Sequence, residues 1–551
     1  MTKTRIFLLI FFTLYLAVIV KLFFIQILNP RGSDTAYLTT RKIYPERGKI
    51  FDRNGLPLVV NKTSFLLYAE PKKIPDHEYF INKIDSVLHI GESTLEAKLD
   101  KTKDWVSLKT NLSEDIKEKI LDLKLPGVGF TDGFQRYYPE SSLSAHLLGF
   151  VGKNTRGEDL GYFGIEGYYN KDLVGLPGIL KSDRDLLGKP ILMGTQQKLN
   201  PENGRDLYLT IDKSIQEIAK SKLREGLEIY DAKEGCIIIA NPQTLEVLAL
   251  VCLPDFDQER YFTFSEEFFK DPAISNLYEP GSTFKPLIMA AALEEKSIKA
   301  DDFYNEKGPV KIGEYTIKTW NDKYEGRISM SRIIEKSSNV GMVHIGQKLG
   351  NIKLYTYLKK FGFDQITGID LQGEVTDKLR PRSNWYPIDY ATVSFGQGIA
   401  ITPVQMVMAF SSLINGGKLL KPYIVQQINS PGEEKFIKSE MLGTPISEKT
   451  SDYIKKMLLS AVENGELKWA KPKGYKIGGK TGTAQIPIKG HYDPSKTVAS
   501  FIGFAPVDNP KFLALVILRE PQSSPWGSET AAPLFFEIAK ELLVYYNIAP
   551  D

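Results

Sequence analysis

The segment RIFLLIFFTLYLAVIVKLFFIQIL, from Arg5 to Leu28, constrains this chain more than any other stretch, because it carries one interior charge, Lys21. As a helix rising ~1.5 Å per residue, Ile6 to Leu28 is about 35 Å long, enough to cross the ~30 Å hydrocarbon core of a bilayer. A cleaved leader has a shorter apolar core and a small-residue cleavage site. Here bulky residues continue past Lys21, whose ammonium can snorkel to an interface. Residues 1–28 therefore read as a short tail and an uncleaved transmembrane anchor. Lys3 and Arg5 precede the span, so the positive-inside rule puts the N-terminus in the cytoplasm. The expectation is a single-pass protein of the cell (inner) membrane with its bulk outside the cytoplasm.

That bulk has ordinary globular composition: of 551 residues, 42% are hydrophobic and 25% charged, with net charge +3. The length allows two to four domains. No Lys/Arg block or aromatic-basic repeat marks a nucleic-acid surface, so no nucleic-acid partner is expected. The five histidines are scattered and the two cysteines stand at 236 and 252, so no cluster has metal-ligand spacing. Neither metal nor cofactor is expected. Scarce histidine also weakens a Ser-His-Asp scheme, so a serine nucleophile here would need another base. Cys236 and Cys252 flank a hairpin pattern in which a disulfide is permitted, but buried cysteines often act as small apolar residues. We expect free thiols.

Residues 29–46 read as a polar connector, and RGKIFDRNGLPLV (47–59) as a hairpin around Asn54-Gly55. Short strands and helices alternate from 60 to 135, and Gly- and aromatic-rich stretches follow to 178. NPENGRD (200–206) is a turn-rich linker, which sets the main boundary near residue 200. The expected domains are the anchor (1–28), an elongated mixed pedestal (29–200) and a catalytic domain (201–551). The last mixes helices with apolar strands such as CIIIA, VLALVC, ASFIGFA and FLALVIL. A short turn joins the last two, which predicts an α+β or α/β domain whose sheet is mainly antiparallel.

Three short motifs in that domain carry chemistry. Ser282-Thr-Phe-Lys285 follows Pro280-Gly281, so Ser282 stands at a helix start and Lys285 one turn on, on the same face. A serine hydroxyl needs a base, and a lysine serves only if burial or neighbouring cations lower its pKa. Ser337-Ser338-Asn339 enters a helical pattern; Ser337 could relay a proton and Asn339 hold an amide, though alone the motif is commonly an N-cap. Lys480-Thr481-Gly482-Thr483 reads as a strand, with Lys480 and the threonine hydroxyls placed to receive a carboxylate. Gly482 would leave room for a ligand's backbone. GYKIGGKT (474–481) also fits a P-loop pattern, but neither a buried strand before it nor a helix after it is expected.

Taken together, S-x-x-K, S-x-N and K-T-G in this order are a signature of penicillin-binding proteins and class A β-lactamases. The whole chain resembles a class B penicillin-binding protein, a peptidoglycan D,D-transpeptidase. RGKIFDRNG, RYYPESSLSAHLLGFVG and GIEGYYNKDLVGLPG look like that family's pedestal motifs, and WYPIDYATVSFGQGIAITPVQM (385–406) is most similar to its cell-division, FtsI-type branch. The resemblance implies a penicillin-binding domain with a five-stranded sheet flanked by helices. It implies Ser282 as nucleophile on a D-Ala-D-Ala stem peptide and Lys285 as acylation base. Ser337 would relay protons, Asn339 orient the stem and Lys480 support the network. Thr481 and Thr483 would bind the terminal carboxylate, and backbone N–H groups of Ser282 and Thr483 would form the oxyanion hole. An amine on a second stem would resolve the acyl-enzyme, β-lactams would inhibit it, and a membrane glycan polymerase and other division proteins would be partners. His344 stands where relatives often carry lysine and is expected to pack. The alternatives are an elongation-type transpeptidase, a β-lactamase or β-lactam sensor, a D,D-carboxypeptidase, and an idle division scaffold.

Overall fold

The computed structural model describes residues 3–28, 38–141, 143–155, 157–183, 196–488 and 491–550. The first part of the connector, 29–37, lies outside the described residues. Helix α1 (Lys3–Phe23) runs on into a π-helical turn, Phe24–Leu28. Across Thr4–Ile27 the mean hydropathy is 2.7 and none of the span is buried against protein. That is the signature of a helix whose partner is lipid.

The chain forms two compact units that interleave in sequence. The first comprises Met1–Gly48, Phe65–Gly133 and Val174–Gly204. Its core is built from Phe65, Leu67, Phe80, Ile84, Leu95, Leu108 and Ile120. The helices His77–Leu88 and Glu114–Asp122 are started by Asp76 and Ser113, whose side chains accept from the backbone N–H of Tyr79 and Ile116.

The second unit comprises Lys49–Ser64, Phe134–Leu173 and Arg205–Asp551. The sequence boundary near 200 assigned 49–64 and 134–173 to the pedestal, but both segments pack here. The reason is apolar: Ile50, Val59, Leu147, Ile165 and Leu173 are buried in the same core as Leu207 and Leu209. The hairpin forms as expected. Asp52 accepts from the N–H of Asn54 and of Leu56, both at 2.8 Å, and Gly55 takes φ +82°. Ile50 and Phe51 pair parallel to Leu207 and Tyr208.

At the centre of this unit lies a five-stranded antiparallel sheet. Its strands are β1 (Glu234–Ala240), β2 (Val247–Leu253), β3 (Gly478–Ile488), β4 (His491–Ala505) and β5 (Phe512–Arg519), in the order β2-β1-β5-β4-β3. Both faces are covered, which is why β1, β2 and β5 read as continuous apolar runs. Ile237, Ile239 and Val516 meet helices α2 (Lys213–Tyr230) and, at the C-terminus, Ala531–Tyr545. Ile238, Leu250 and Leu515 face the larger core with helix α3 (Lys285–Glu294). Helix α3 is apolar all round and buried from Lys285 to Leu293, as a central helix must be.

One expectation is corrected. Cys236 and Cys252 are not free thiols but a disulfide, with S–S 2.04 Å. The register of β1 on β2 sets them directly opposite each other, at Cα–Cα 4.1 Å. Proximity imposed by the hairpin, rather than apolar burial, decides their chemistry.

Candidate active site

Ser282 sits in a short 3₁₀ turn, Gly281–Phe284, that leads directly into α3. This turn is fixed by one backbone bond and, just ahead of it, by one side-chain bond. Gly281 N–H donates to Gly396 O at 2.9 Å, and Gly398 N–H donates to the Glu279 carboxylate at 3.0 Å. Gly396 has φ +83°, and a Cβ there would lie 2.1 Å from Gly281 O, so no other residue fits. The Phe-Gly-Gln-Gly stretch thus serves as a rigid stop behind the serine.

Lys285, fully buried, is turned toward the second motif. Its Nζ donates to Ser337 O at 2.6 Å, to Asn339 Oδ1 at 2.7 Å and lies 3.1 Å from Ser337 Oγ. Three acceptors match the three protons of an ammonium. On deprotonation the Ser337 contact can invert, with the hydroxyl donating to the amine, while the other two remain. Burial within apolar α3 pushes the Lys285 pKa well down, and the Lys480 charge pushes it further. Ser337 takes a left-handed conformation, φ +56°, which aims its carbonyl and hydroxyl at Lys285. Helix α4 (Asn339–Leu349) begins just after it. The N-cap is Ser338, which accepts from Gly341 N–H at 2.8 Å and donates to the buried Glu306 carboxylate. Asn339 Nδ2 donates to Lys318 O at 3.2 Å, which fixes its amide.

The third motif lies on edge strand β3, beside β4. Thr481 and Thr483 face the cleft while Lys480 and Gly482 are buried, the alternation a strand requires. The absence of a helix after Thr481 removes the P-loop reading. Lys480 Nζ donates to Thr481 Oγ1 at 3.1 Å, and Gly527 N–H donates to Thr483 Oγ1 at 3.0 Å. Both hydroxyls accept from behind, so each keeps its O–H to donate into the cleft. Burial pulls the Lys480 pKa down to about 8, against the attraction of Glu466. A Cβ at Gly281 would lie 3.0 Å from Thr483 O. Since a strand residue's N–H and C=O point to the same side, Thr483 N–H also points at the serine turn.

Gly482 is required by the packing of the protein itself. A Cβ there would lie 2.4 Å from Ser500 Oγ, 2.9 Å from Thr283 Cγ2 and 3.0 Å from Pro280 O. The missing Cβ lets β3 close onto the serine turn. His344 stacks on Tyr304, ring centroids 4.4 Å apart, as a packing residue. Burial and Lys348 lower its pKa.

These elements meet around a cavity of about 260 Å³ lined by Ser282, Ser337, Asn339, Thr481 and Thr483, the residues expected from the motifs. Lys285, Lys480 and Gly482 lie behind its walls. Sequence reasoning missed Glu466, Trp469, Trp320 and Trp526, which complete the lining. Trp320 and Trp526 meet at 5.3 Å although 206 positions separate them in the numbering, so no local pattern announces them. Gln397 also lines the cavity and lay within the quoted stretch 385–406. Among the described residues no group of His, Cys, Asp and Glu has metal-site geometry. The arrangement suits acyl transfer: a serine beside a lowered-pKa amine, two backbone N–H groups, and hydroxyl and ammonium donors for a carboxylate.

Residues 235–540 match the penicillin binding protein transpeptidase domain, and residues 42–209 the penicillin-binding protein dimerisation domain. The chain is 35% identical over 521 residues to stage V sporulation protein D of Bacillus subtilis, across 92% of this chain and 79% of that one. It is 31% identical over 568 residues to the peptidoglycan D,D-transpeptidase FtsI homolog of Mesostigma viride, across 96% and 94%. A peptidoglycan synthetase from Bifidobacterium adolescentis has a similar crystal structure, with TM-score 0.76 and 27% identity over 94% of this chain and 98% of that one.

Proposed function

Because the chain belongs to the class B penicillin-binding protein family of peptidoglycan D,D-transpeptidases, we propose that Ser282 is its acylating nucleophile and Lys285 the base. The observation that carries this assignment is the engagement of Lys285 Nζ by Ser337 and Asn339 at 2.6–3.1 Å, on the wall of the cavity holding Ser282. In the first half-reaction the Ser282 Oγ–carbonyl bond forms and its proton passes to Lys285. The peptide C–N bond then breaks, and Ser337 relays the proton to the departing D-alanine amine. In the second, an amine of another stem peptide attacks the ester and returns the proton to Ser282. Thr481 and Thr483, with the Lys480 ammonium, hold the terminal carboxylate. The N–H groups of Ser282 and Thr483 receive the oxyanion.

The apolar helix α1 is the membrane anchor; we take its N-terminus to face the cytoplasm, since Lys3 and Arg5 precede it. Among its described residues the first unit carries no nucleophile–base pair, and it is assigned to positioning and to binding a membrane glycan polymerase and other division proteins. β-Lactams acylate Ser282 in place of substrate. The FtsI-type stretch 385–406 supports a septal role. The 35% identity to a sporulation protein favours a second reading, crosslinking during spore formation. Depletion separates them: filaments with failed septa support the first, normal division with defective spores the second, and round swollen cells an elongation role.

The chemistry is tested by intact-protein mass spectrometry after penicillin. The wild type should hold a penicilloyl adduct for many minutes, and Ser282→Ala should show none. An adduct on Ser282→Ala would overturn the nucleophile, and rapid loss from the wild type would favour a β-lactamase.

A further inference from the structure

Two lysines, Lys285 and Lys480, are buried at 0% and 3% exposure on adjoining walls of one site. Among the described residues neither has a carboxylate within ion-pair distance. Two acidic side chains, Glu466 and Glu529, share the cavity with Ser282. Glu466, exposed at the cleft, lines it together with Thr481, which bonds Lys480, and with Ser337 and Asn339, which bond Lys285. Its position is set by its neighbours. A Cβ at Gly465 would lie 2.2 Å from Ala461 O and 2.9 Å from Glu335 O, so the backbone there is wedged against the preceding helix. Leu467, 2% exposed, plants the other side in the core beneath the sheet. Glu466 is therefore held at the cleft by packing on both sides.

We propose that Glu466 is a positioning residue of the acyl-transfer site: its carboxylate, in the cavity whose walls hold both buried lysines, is the counter-charge that fixes which of them carries a proton. This rests on the assignment of Ser282 and Lys285 above. The charges facing Glu466 are Lys480 on β3, Lys285 on α3 and Glu529 ahead of the C-terminal helix. Partial enclosure pushes the Glu466 carboxyl above the usual carboxylate range, with Glu529 adding to it, while Lys480 and Lys285 draw it back toward ionisation. Once ionised, Glu466 favours an ammonium on Lys480, the donor that substrate carboxylate needs. Lys285, more deeply buried and repelled by Lys480, is the amine that yields its proton first. Without Glu466 both protons leave at lower pH, so both limbs of the acylation profile move in the acid direction.

The test is the rate of penicillin acylation by the full-length chain in detergent, followed by intact mass from pH 5.5 to 9.5. Glu466→Gln should shift the whole profile acidward by about one pH unit, the low end for a nearby charge, so that acylation at pH 8.5 falls about tenfold. Glu466→Asp should restore most of the profile, and melting temperatures should confirm that both variants fold. A Glu466→Gln profile that keeps its wild-type midpoints, whether or not its height falls, would overturn the inference. Failure of the wild type to form an adduct at any pH would instead remove the assignment of Ser282.

Discussion

Lys480 shows how a single residue sets activity against stability. Its pKa falls from 10.5 in the unfolded chain to about 8 in the buried site. Between those values the unfolded state holds the proton that the folded state has lost, so stability climbs with pH through that window. Below about pH 8 the full penalty is present, at most about 3 kcal/mol at 1.36 kcal/mol per pH unit. Lys480→Met should therefore abolish penicillin acylation yet melt above the wild type at pH 7, less the lost contacts to Thr481. That advantage should vanish as pH approaches 10.5. Thermal melts from pH 6 to 10.5 check this; a gap that does not narrow with pH would contradict it.

At the level of elements, the nucleophile is held less by its own helix than by two neighbours that abut it. The loop at Gly396 supports the turn from behind, and edge strand β3 closes onto it because Gly482 lacks a Cβ. Gly396→Ala combines a left-handed φ with a contact of 2.1 Å to Gly281 O. Strain and overpacking together should destabilise by roughly 2–4 kcal/mol. The displaced backbone is the residue before Ser282, so acylation should slow by about 10²-fold even at temperatures where the variant is folded. Comparing melting temperature with the acylation rate separates the two effects, and an unchanged rate would show that the loop does not position the serine.

For the whole molecule, the interleaving of units decides what can be cut away. A chain starting at residue 201 keeps every catalytic motif but lacks Ile50, Val59, Leu147 and Ile165, all fully buried in the core of the catalytic unit. At ~1.5–3 kcal/mol for each large apolar side chain, the loss is about 6–12 kcal/mol, comparable to the stability of a typical domain. Such a truncated chain should be insoluble or fail to label with penicillin, whereas one starting at residue 38 should fold and label. Soluble yield and labelling of the two forms decide the matter, and an active 201–551 chain would show those segments to be dispensable.

What the sequence determined by itself is the chemistry that short-range geometry carries. Ser282 and Lys285 stand one turn apart, Ser338 caps its own helix, and Thr481 and Thr483 alternate with Lys480 along a strand. The apolar helix at the N-terminus was equally plain, because length and hydropathy are local properties. Tertiary structure decided whatever depends on which distant segments meet. Lys285 turns to Ser337 and Asn339, which come from a segment more than fifty positions away in the sequence. Gly482 is required by Ser500, Thr283 and Pro280, none adjacent to it in sequence. The cysteines bond because strand register sets them opposite each other. Glu466 and the tryptophans reach the cleft from separate segments with no shared pattern. Periodicity encodes which face a residue takes within its own element; only the packed core fixes what lies across from that face.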